Sequence, residues 1–370
     1  MKKICYVFIQ GRKEKYLANS YEAKEFYYGL HHLEEASDTT VEIIEFSNSD
    51  NFFSLILRFI DKVFSKFFSI PAYSHRVVSI KNLKTLLKSD KVVLVSESTG
   101  YSALLMLIFL KFTKTQVTLF VMGLYSKKLR FSSLKKIHNL LIKLLVFFID
   151  DVLILGQGEY RKALNLHKNI SKIHYFPFCV DTKFWSMPKS KNIMKNSEIL
   201  FIGNDGNRDF ELVVNIAKKM KHFKFRFISE NETITTVRLP NVIVEKGQWG
   251  STEITDEDLK EYYLQSRMVI LPLKDSTQPS GQSVSLQAMS LGVPVLISDT
   301  DGFWDRDKFI HNDNIYLVKP NGVTNWIESI EEMYNNREMI SNLSINGKNI
   351  IGKEFSLKNF HSQLISILNI

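Results

Sequence analysis

Apolar residues run through this chain in two alternating textures. Short runs rich in Val, Ile, Leu and Phe occur at 4–9, 41–46, 92–95, 117–121, 152–155 and 173–176. A second series follows at 199–202, 223–228, 242–244, 269–271, 295–297 and 315–318. Several runs are continuous rather than alternating, the pattern of strands covered on both faces. Between them lie stretches with apolar residues three and four apart, the period of a helix that packs one face. Strand and helix alternate throughout, so the sheets are expected to be parallel, and the two series predict two doubly wound α/β domains.

The break between the series is visible in "CVDTKFWSMPKSKNIMKNS", which is polar, lysine-rich and carries a proline. This places an N-terminal domain at 1–180, a linker at 181–197 and a C-terminal domain at 198–354. The last stretch, 355–370, has apolar residues at Phe360, Leu364, Ile365, Ile367 and Leu368. It reads as an amphipathic helix that needs a surface to pack on. A chain of 370 residues suits two domains of about 150–200 residues each. With 45% hydrophobic and 24% charged residues, wholesale disorder is excluded. The apolar run before Gln10, Gly11 and Arg12 is short for a signal peptide and reads as a first buried strand. Cys5 and Cys179, the two cysteines, offer no disulfide framework and fit a reducing compartment.

Charge changes the picture more by place than by amount. The net charge is +9, with 26 Lys/Arg against 15 Asp/Glu in residues 1–180 and 22 against 24 in the remainder. A basic N-terminal half fits an anionic membrane, a phosphorylated substrate, nucleic acid, or simply a soluble basic surface. Nucleic acid is disfavoured, because aromatic and arginine residues are not interleaved as base stacking requires. "FFSLILRFIDKVFSKFF" at 52–68 is apolar apart from Arg58, Asp61, Lys62 and Lys66, which fall about a turn apart on one face. Those charges deny a spanning helix and suit one lying in a membrane interface. "ALLMLIFL" and "LKKIHNLLIKLLVFFI" read either as core helices or as further membrane contacts.

Candidate chemistry gathers in "QPSGQSVSLQAMSLGVPVLISDTDGFWD" at 278–305. A turn at 278–282 follows a buried strand and feeds a helix expected over 283–291. Val284, Ala288 and Leu291 share one face, and Ser283, Gln287 and Ser290 form an uncharged polar stripe beside it. Gly292 and Pro294 stop the helix. In an open parallel sheet, ligands bind at the carboxyl ends of strands. A helix start there offers free N–H groups to an anion such as phosphate, and Gly281 lets it approach closely. Gln287, one turn along, can bond a sugar hydroxyl; otherwise these side chains cap the helix and face water. A second loop, "FIGNDGNRDF" at 201–210, follows the first strand of the C-terminal series. Gly203 and Gly206 allow a tight turn, and Arg208 can hold a diphosphate bidentately or cap its own loop. Neither loop matches a GxGxxG or P-loop fingerprint.

With these pieces together, most of 150–370 resembles a retaining glycosyltransferase of the GT-B fold, in the GT4-like (glycosyl transferases group 1) superfamily. "PFCVDTKFW" is similar to that superfamily's P-x-G-V-D-x-x-x-F segment. "DEDLKEYYLQSRMVILPL" resembles the helix and strand before its donor site. "LQAMSLGVPVLISDTDG" resembles its EAMAxGxPVVAS…G stretch. The resemblance implies two Rossmann-like domains facing a central cleft, with the C-terminal helix packing back toward the N-terminal domain. It implies a nucleoside-diphosphate sugar as donor substrate, with no cofactor. Arg208 would meet the diphosphate. Gln287 stands where a glutamate usually binds the ribose, and Gln278 lies near the place of the other glutamate. Ser280, Gly281, Gln282 and Ser283 would surround the phosphates and the transferred sugar, with Gly203, Asn207, Asp209 and Val284 completing the donor set.

The N-terminal half departs further, matching only in its strand pattern and the glycine loop at Gly11, whose neighbour Arg12 is an acceptor-side candidate. Met122 and Gly123 stand where many relatives carry a histidine. Glu97, in "SESTG", is then the candidate acid or base, unless it is a solvated loop residue. Asp299, Thr300 and Asp301 form a D-x-D sequence, but after a strand of this fold they read as loop, and no metal site is expected. The expected function is sugar transfer to a glycan or polyprenyl-lipid-linked acceptor, in bacterial synthesis of a surface polysaccharide such as lipopolysaccharide or capsule. The expected place is the cytoplasm, at the inner face of the membrane, with peripheral membrane contact. Two rivals remain: a sugar-nucleotide epimerase of the same fold, and a non-catalytic, degenerate transferase serving as a membrane or subunit partner.

Overall fold

The computed structural model describes residues 1–9, 11–18, 23–35, 38–48, 52–127, 129, 131–188, 196–247, 254–319 and 322–370. Gln10, and residues 189–195 of the expected linker, lie outside them. Two compact units divide the chain: Met1–Pro177 with His361–Ile370, and Phe178–Phe360.

The N-terminal unit runs β1 (Lys2–Phe8), α1 (Arg12–Leu17), α2 (Leu30–Glu35), β2 (Thr39–Glu45), α3 (Phe52–Phe68), α4 (Ile80–Leu87), β3 (Lys91–Leu94), α5 (Glu97–Leu110), β4 (Gln116–Val121), α6 (Lys135–Phe147), β5 (Asp151–Ile154), α7 (Gln157–Leu166) and β6 (Ile173–Tyr175). Among the described residues its strands form one parallel sheet in the order β2-β1-β3-β4-β5-β6. Local chemistry sets the joints. Ser96 caps α5 by accepting the Thr99 N–H, and Thr99 returns the bond in a capping box.

The second unit runs β7 (Glu198–Ile202), α8 (Phe210–Lys219), β8 (Lys224–Ile228), α9 (Glu232–Thr235), β9 (Val242–Glu245), α10 (Asp256–Gln265), β10 (Ser266–Leu271), α11 (Gln282–Ser290), β11 (Val295–Ser298), β12 (Tyr316–Val318), α12 (Val323–Asn335), α13 (Arg337–Glu354) and the start of α14 (Leu357–Leu368). Its parallel sheet has the order β12-β11-β10-β7-β8-β9. In β10 all six residues are buried, and each large apolar side chain so placed contributes about 1.5–3 kcal/mol. The last helix begins in this unit and ends in the other, where His361 stacks on His32 with ring centroids 4.3 Å apart.

Each expected strand is present, so the two doubly wound α/β sheets follow the strand pattern. Boundaries move where burial extends past the apolar run: β10 begins at Ser266, three residues earlier than expected, and α11 starts one residue early. Glu97 is not a loop residue. It opens α5, and its side chain is buried. The stretch 52–68 is one helix, α3, with Phe52, Phe53 and Phe59 exposed. Asp61 of that helix does not join the outer charges but is buried and bonded to His75 Nδ1 at 2.7 Å. No helix among the described residues is long and apolar enough to cross a membrane.

Candidate active site in the second unit

Where the strand order of a doubly wound sheet reverses, the loops leaving two neighbouring strands diverge to opposite faces and open a crevice. In the second unit this point lies between β7 and β10. The loop after β7 and the segment after β10 are stitched together. Asp209 N–H donates to Pro272 O at 2.9 Å, and Lys274 N–H donates to Asn207 O at 2.8 Å.

Arg208 lies between them, 3% exposed. Its Nε donates to Ile202 O at 3.3 Å. Its Nη1 donates to Ser280 Oγ at 2.7 Å and pairs with Asp205 Oδ2 at 2.9 Å. Ser280 Oγ in turn donates to Asp205 at 3.0 Å. Among the described residues Nη2 makes no hydrogen bond. Burial pulls the Arg208 pKa down and the Asp205 carboxylate opposes it; a guanidinium so paired stays cationic. Gly203 makes room for this side chain, since a Cβ there would sit 2.3 Å from Arg208 Nε.

Gly281 begins α11 in the left-handed conformation (φ 77°), and no side chain caps the helix. Ser283 and Val284 in its first turn therefore keep amide donors of the kind that a helix start leaves unsatisfied. The turn before it is gripped by Gly302, where a Cβ would lie 2.3 Å from Gln278 O and 2.6 Å from Ser276 O.

Around these groups is a cavity of about 260 Å³. Arg208, Asp205, Asn204, Ser283 and Gln287 supply its polar wall, while Ile202, Ile228, Ile254, Leu259 and Val284 supply an apolar one. Gln287 is 4% exposed, so it does not face water. Tyr263, fully buried on α10, donates its hydroxyl to Gln287 Oε1 at 3.1 Å. Trp185 packs edge-on against Tyr263 at 5.8 Å, and Ser290 Oγ donates to Trp185 O at 2.7 Å. Trp185 thus props the wall of the pocket.

The structure brings Gly203, Arg208, Ser283, Val284 and Gln287 to one cavity. Ser280 and Gly281 stand behind Arg208, the first bonded to it and the second at the helix start. Like these two, four further expected residues do not line the cavity. Asn207 donates its backbone N–H to Asp205 Oδ1 at 2.9 Å. Asp209 caps α8 by accepting the Leu212 N–H. Gln278 sits in the turn beneath Gly302, and Gln282 is buried at the first position of α11. Sequence reasoning missed Ile254, Leu259, Tyr263 and Gly247, which reach the site from segments before β10. The signal was present in Tyr263, an aromatic on the buried stripe of a helix preceding a ligand loop.

In the N-terminal unit the corresponding reversal lies between β1 and β3. Gly11 is left-handed there (φ 75°) and starts α1. Arg12 donates its N–H to Glu45 Oε1 at 2.7 Å and sets its guanidinium over the Phe26 and Tyr27 rings. Glu97 accepts the Met122 N–H at 3.2 Å and pairs with Lys127 Nζ at 3.6 Å. Burial raises its pKa, against the pull of Lys127. Asp299 of the D-x-D sequence is 3% exposed and held by Arg306 and Lys319.

Residues 250–350 match the family of glycosyl transferases group 1. That segment contains α11, Tyr263 and Gly302 but not the Arg208 loop. A sucrose-phosphate synthase from Thermosynechococcus elongatus superposes with a TM-score of 0.70 at 12% identity, over 100% of this chain and 98% of its own. Anabaena HepE in complex with UDP-glucose gives 0.69 at 12% identity, over 100% of both chains. The lipopolysaccharide outer core galactosyltransferase WaaB in its apo form gives 0.62 at 15% identity, over 99% of both. These likenesses establish the GT-B fold. The family segment lies within the second unit. No curated protein matches the chain by sequence.

Proposed function

We propose that this chain is a glycosyltransferase that takes its sugar from a nucleoside-diphosphate donor held in the cavity of the second unit. The observation that carries the reading is Arg208: a buried guanidinium with Nη2 available beside an uncapped helix start. A diphosphate there would accept from Nη2 and from the Ser283 and Val284 amides of α11, and both would strengthen as charge builds on the leaving group. Ser283 completes the polar end. The apolar wall of Ile228, Ile254 and Leu259 suits the face of a nucleobase, and Gln287, steadied by Tyr263, is placed for the ribose. That HepE was solved with UDP-glucose supports a donor of this class.

We further propose retention of anomeric configuration, with Glu97 as the group that carries a proton. The acceptor would be a glycan or a lipid-linked glycan of a bacterial surface polysaccharide, met at the inner face of the cytoplasmic membrane. Supporting this, α3, α5 and α6 each expose apolar side chains, including Phe59, Phe109 and Leu140. Their outer charges are cations such as Arg58, Lys62, Lys136 and Lys143, while the acidic residues of these helices, Asp61 and Glu97, are buried. Apolar side chains ringed by cations favour an anionic lipid surface.

The test is a panel of nucleotide sugars assayed for released nucleoside diphosphate, with and without a lipid-linked acceptor. Acceptor-dependent release is expected from one donor. Epimerisation of donor alone, or failure of the whole panel to bind, would overturn the proposal.

A further inference from the structure

A second cavity, of about 760 Å³, lies wholly in the N-terminal unit. Lys127 lines it from the loop after β4, Lys135 and Ile142 from α6, and Lys162 and Leu166 from α7. Lys135 and Ile142 are seven residues apart and Lys162 and Leu166 four, so each pair shares one helix face. Among the described residues no Asp or Glu lines this cavity.

Its walls are fixed by bonds of their own. His138 Nδ1 meets Phe68 O at 2.8 Å, tying α6 to the end of α3. Glu159 accepts the N–H groups of Gly123 at 2.8 Å and Tyr125 at 2.7 Å, which sets the loop after β4. Tyr125 Oη meets His167 Nε2 at 3.0 Å at the end of α7. The cavity is therefore formed in advance, and a ligand entering it spends little on ordering the walls.

An anion entering the cavity meets three lysine side chains and no carboxylate among the described lining residues. Lys127 meets the buried Glu97 at 3.6 Å. Lys135 has no hydrogen bond or ion pair among the described residues. A bare inorganic ion would use the ammonium groups and leave Ile142 and Leu166 idle. A phosphate ester with an organic substituent uses both.

We propose that this cavity binds an organic phosphate or diphosphate ester, its phosphate among Lys127, Lys135 and Lys162 and its substituent against Ile142 and Leu166. The site is separate from the donor cavity and does not depend on the donor reading. A lipid headgroup and a water-soluble ester share this chemistry.

Both sources are tested on the full chain. Phenyl phosphate and inorganic pyrophosphate are titrated calorimetrically, and phosphatidylcholine vesicles are co-sedimented with and without phosphatidic acid. Lys135→Gln combined with Lys162→Gln is expected to weaken binding at least about tenfold, about 1.4 kcal/mol. Lys218→Gln combined with Lys219→Gln removes the same charge from α8, in the other unit and outside the cavity, and should change binding by less than about twofold. Binding of the soluble esters assigns a soluble ligand; binding of phosphatidic acid vesicles alone assigns a lipid headgroup. Equal weakening by both double variants, no weakening by either, or loss only with Arg208→Ala would overturn the site. Unchanged melting of the cavity variant separates lost binding from lost fold.

Discussion

The two sheets of this chain reverse their strand order at different points, and they equip those points differently. Between β7 and β10 the diverging loops frame a cavity with a buried guanidinium, an uncapped helix start and an apolar wall. Between β1 and β3 the same topology carries Arg12 stacked over Phe26 and Tyr27, and a Glu97 already committed to Lys127 and Met122 N–H. In one crevice Arg208 Nη2 makes no hydrogen bond among the described residues, while in the other Arg12 and Glu97 are paired within the chain. A shared topology thus supplies a place for a site, and the residues on two loops decide whether that place is built for a small anion.

The sharpest way to break this contrast is Arg208→Ala. Donor turnover should fall by about 10²–10³-fold, the size of losing one charge-stabilising donor. Circular dichroism should stay native, because Asp205 is 46% exposed and can be solvated once its partner is gone. Unchanged turnover would remove the guanidinium from the chemistry. Gly302→Ala comes next. Its new methyl would meet the Gln278 and Ser276 carbonyls, backbone that cannot swing aside, so a loss of about 1–3 kcal/mol is expected in urea denaturation. Tyr263→Phe should cost about 1 kcal/mol and weaken nucleotide binding by several fold, read by calorimetry, because Gln287 loses the bond that orients it.

The smallest effect sharpens the other side of the comparison. Burial, and then Glu97, push the Glu159 carboxyl up to about 8 from a reference of 4.5. The folded chain then keeps a proton that the unfolded chain releases. That contribution to stability is fully present below about pH 4.5 and is lost as pH rises through about 8. Melting midpoints should decline across that window, and Glu159→Gln should flatten the decline.

Much of the fold was legible because a strand covered on both faces writes itself as a continuous apolar run, as at Val92–Leu94 and Val269–Leu271. The site was legible where its residues lie on the loop or helix start that comes after a strand, as Gly203, Arg208 and Ser283 do. It was not legible where tertiary contacts decide. Asp209 reads as a ligand-loop residue until its bond to Leu212 N–H makes it a cap. Nothing in the sequence joins Tyr263 to Gln287, and only the packing of α10 against α11 does so. Glu97 followed a strand closely enough to pass for loop, and the Ser96 cap turned it into a helix start.

The helix α14 makes one unit depend on two stretches of chain that lie far apart in sequence. Its residues His361–Ile370 belong with Met1–Pro177, although the whole of the other unit lies between them. Leu364 and Leu368 are each 1% exposed, so that unit completes its burial only by a contact of long sequence separation, the kind that slows folding.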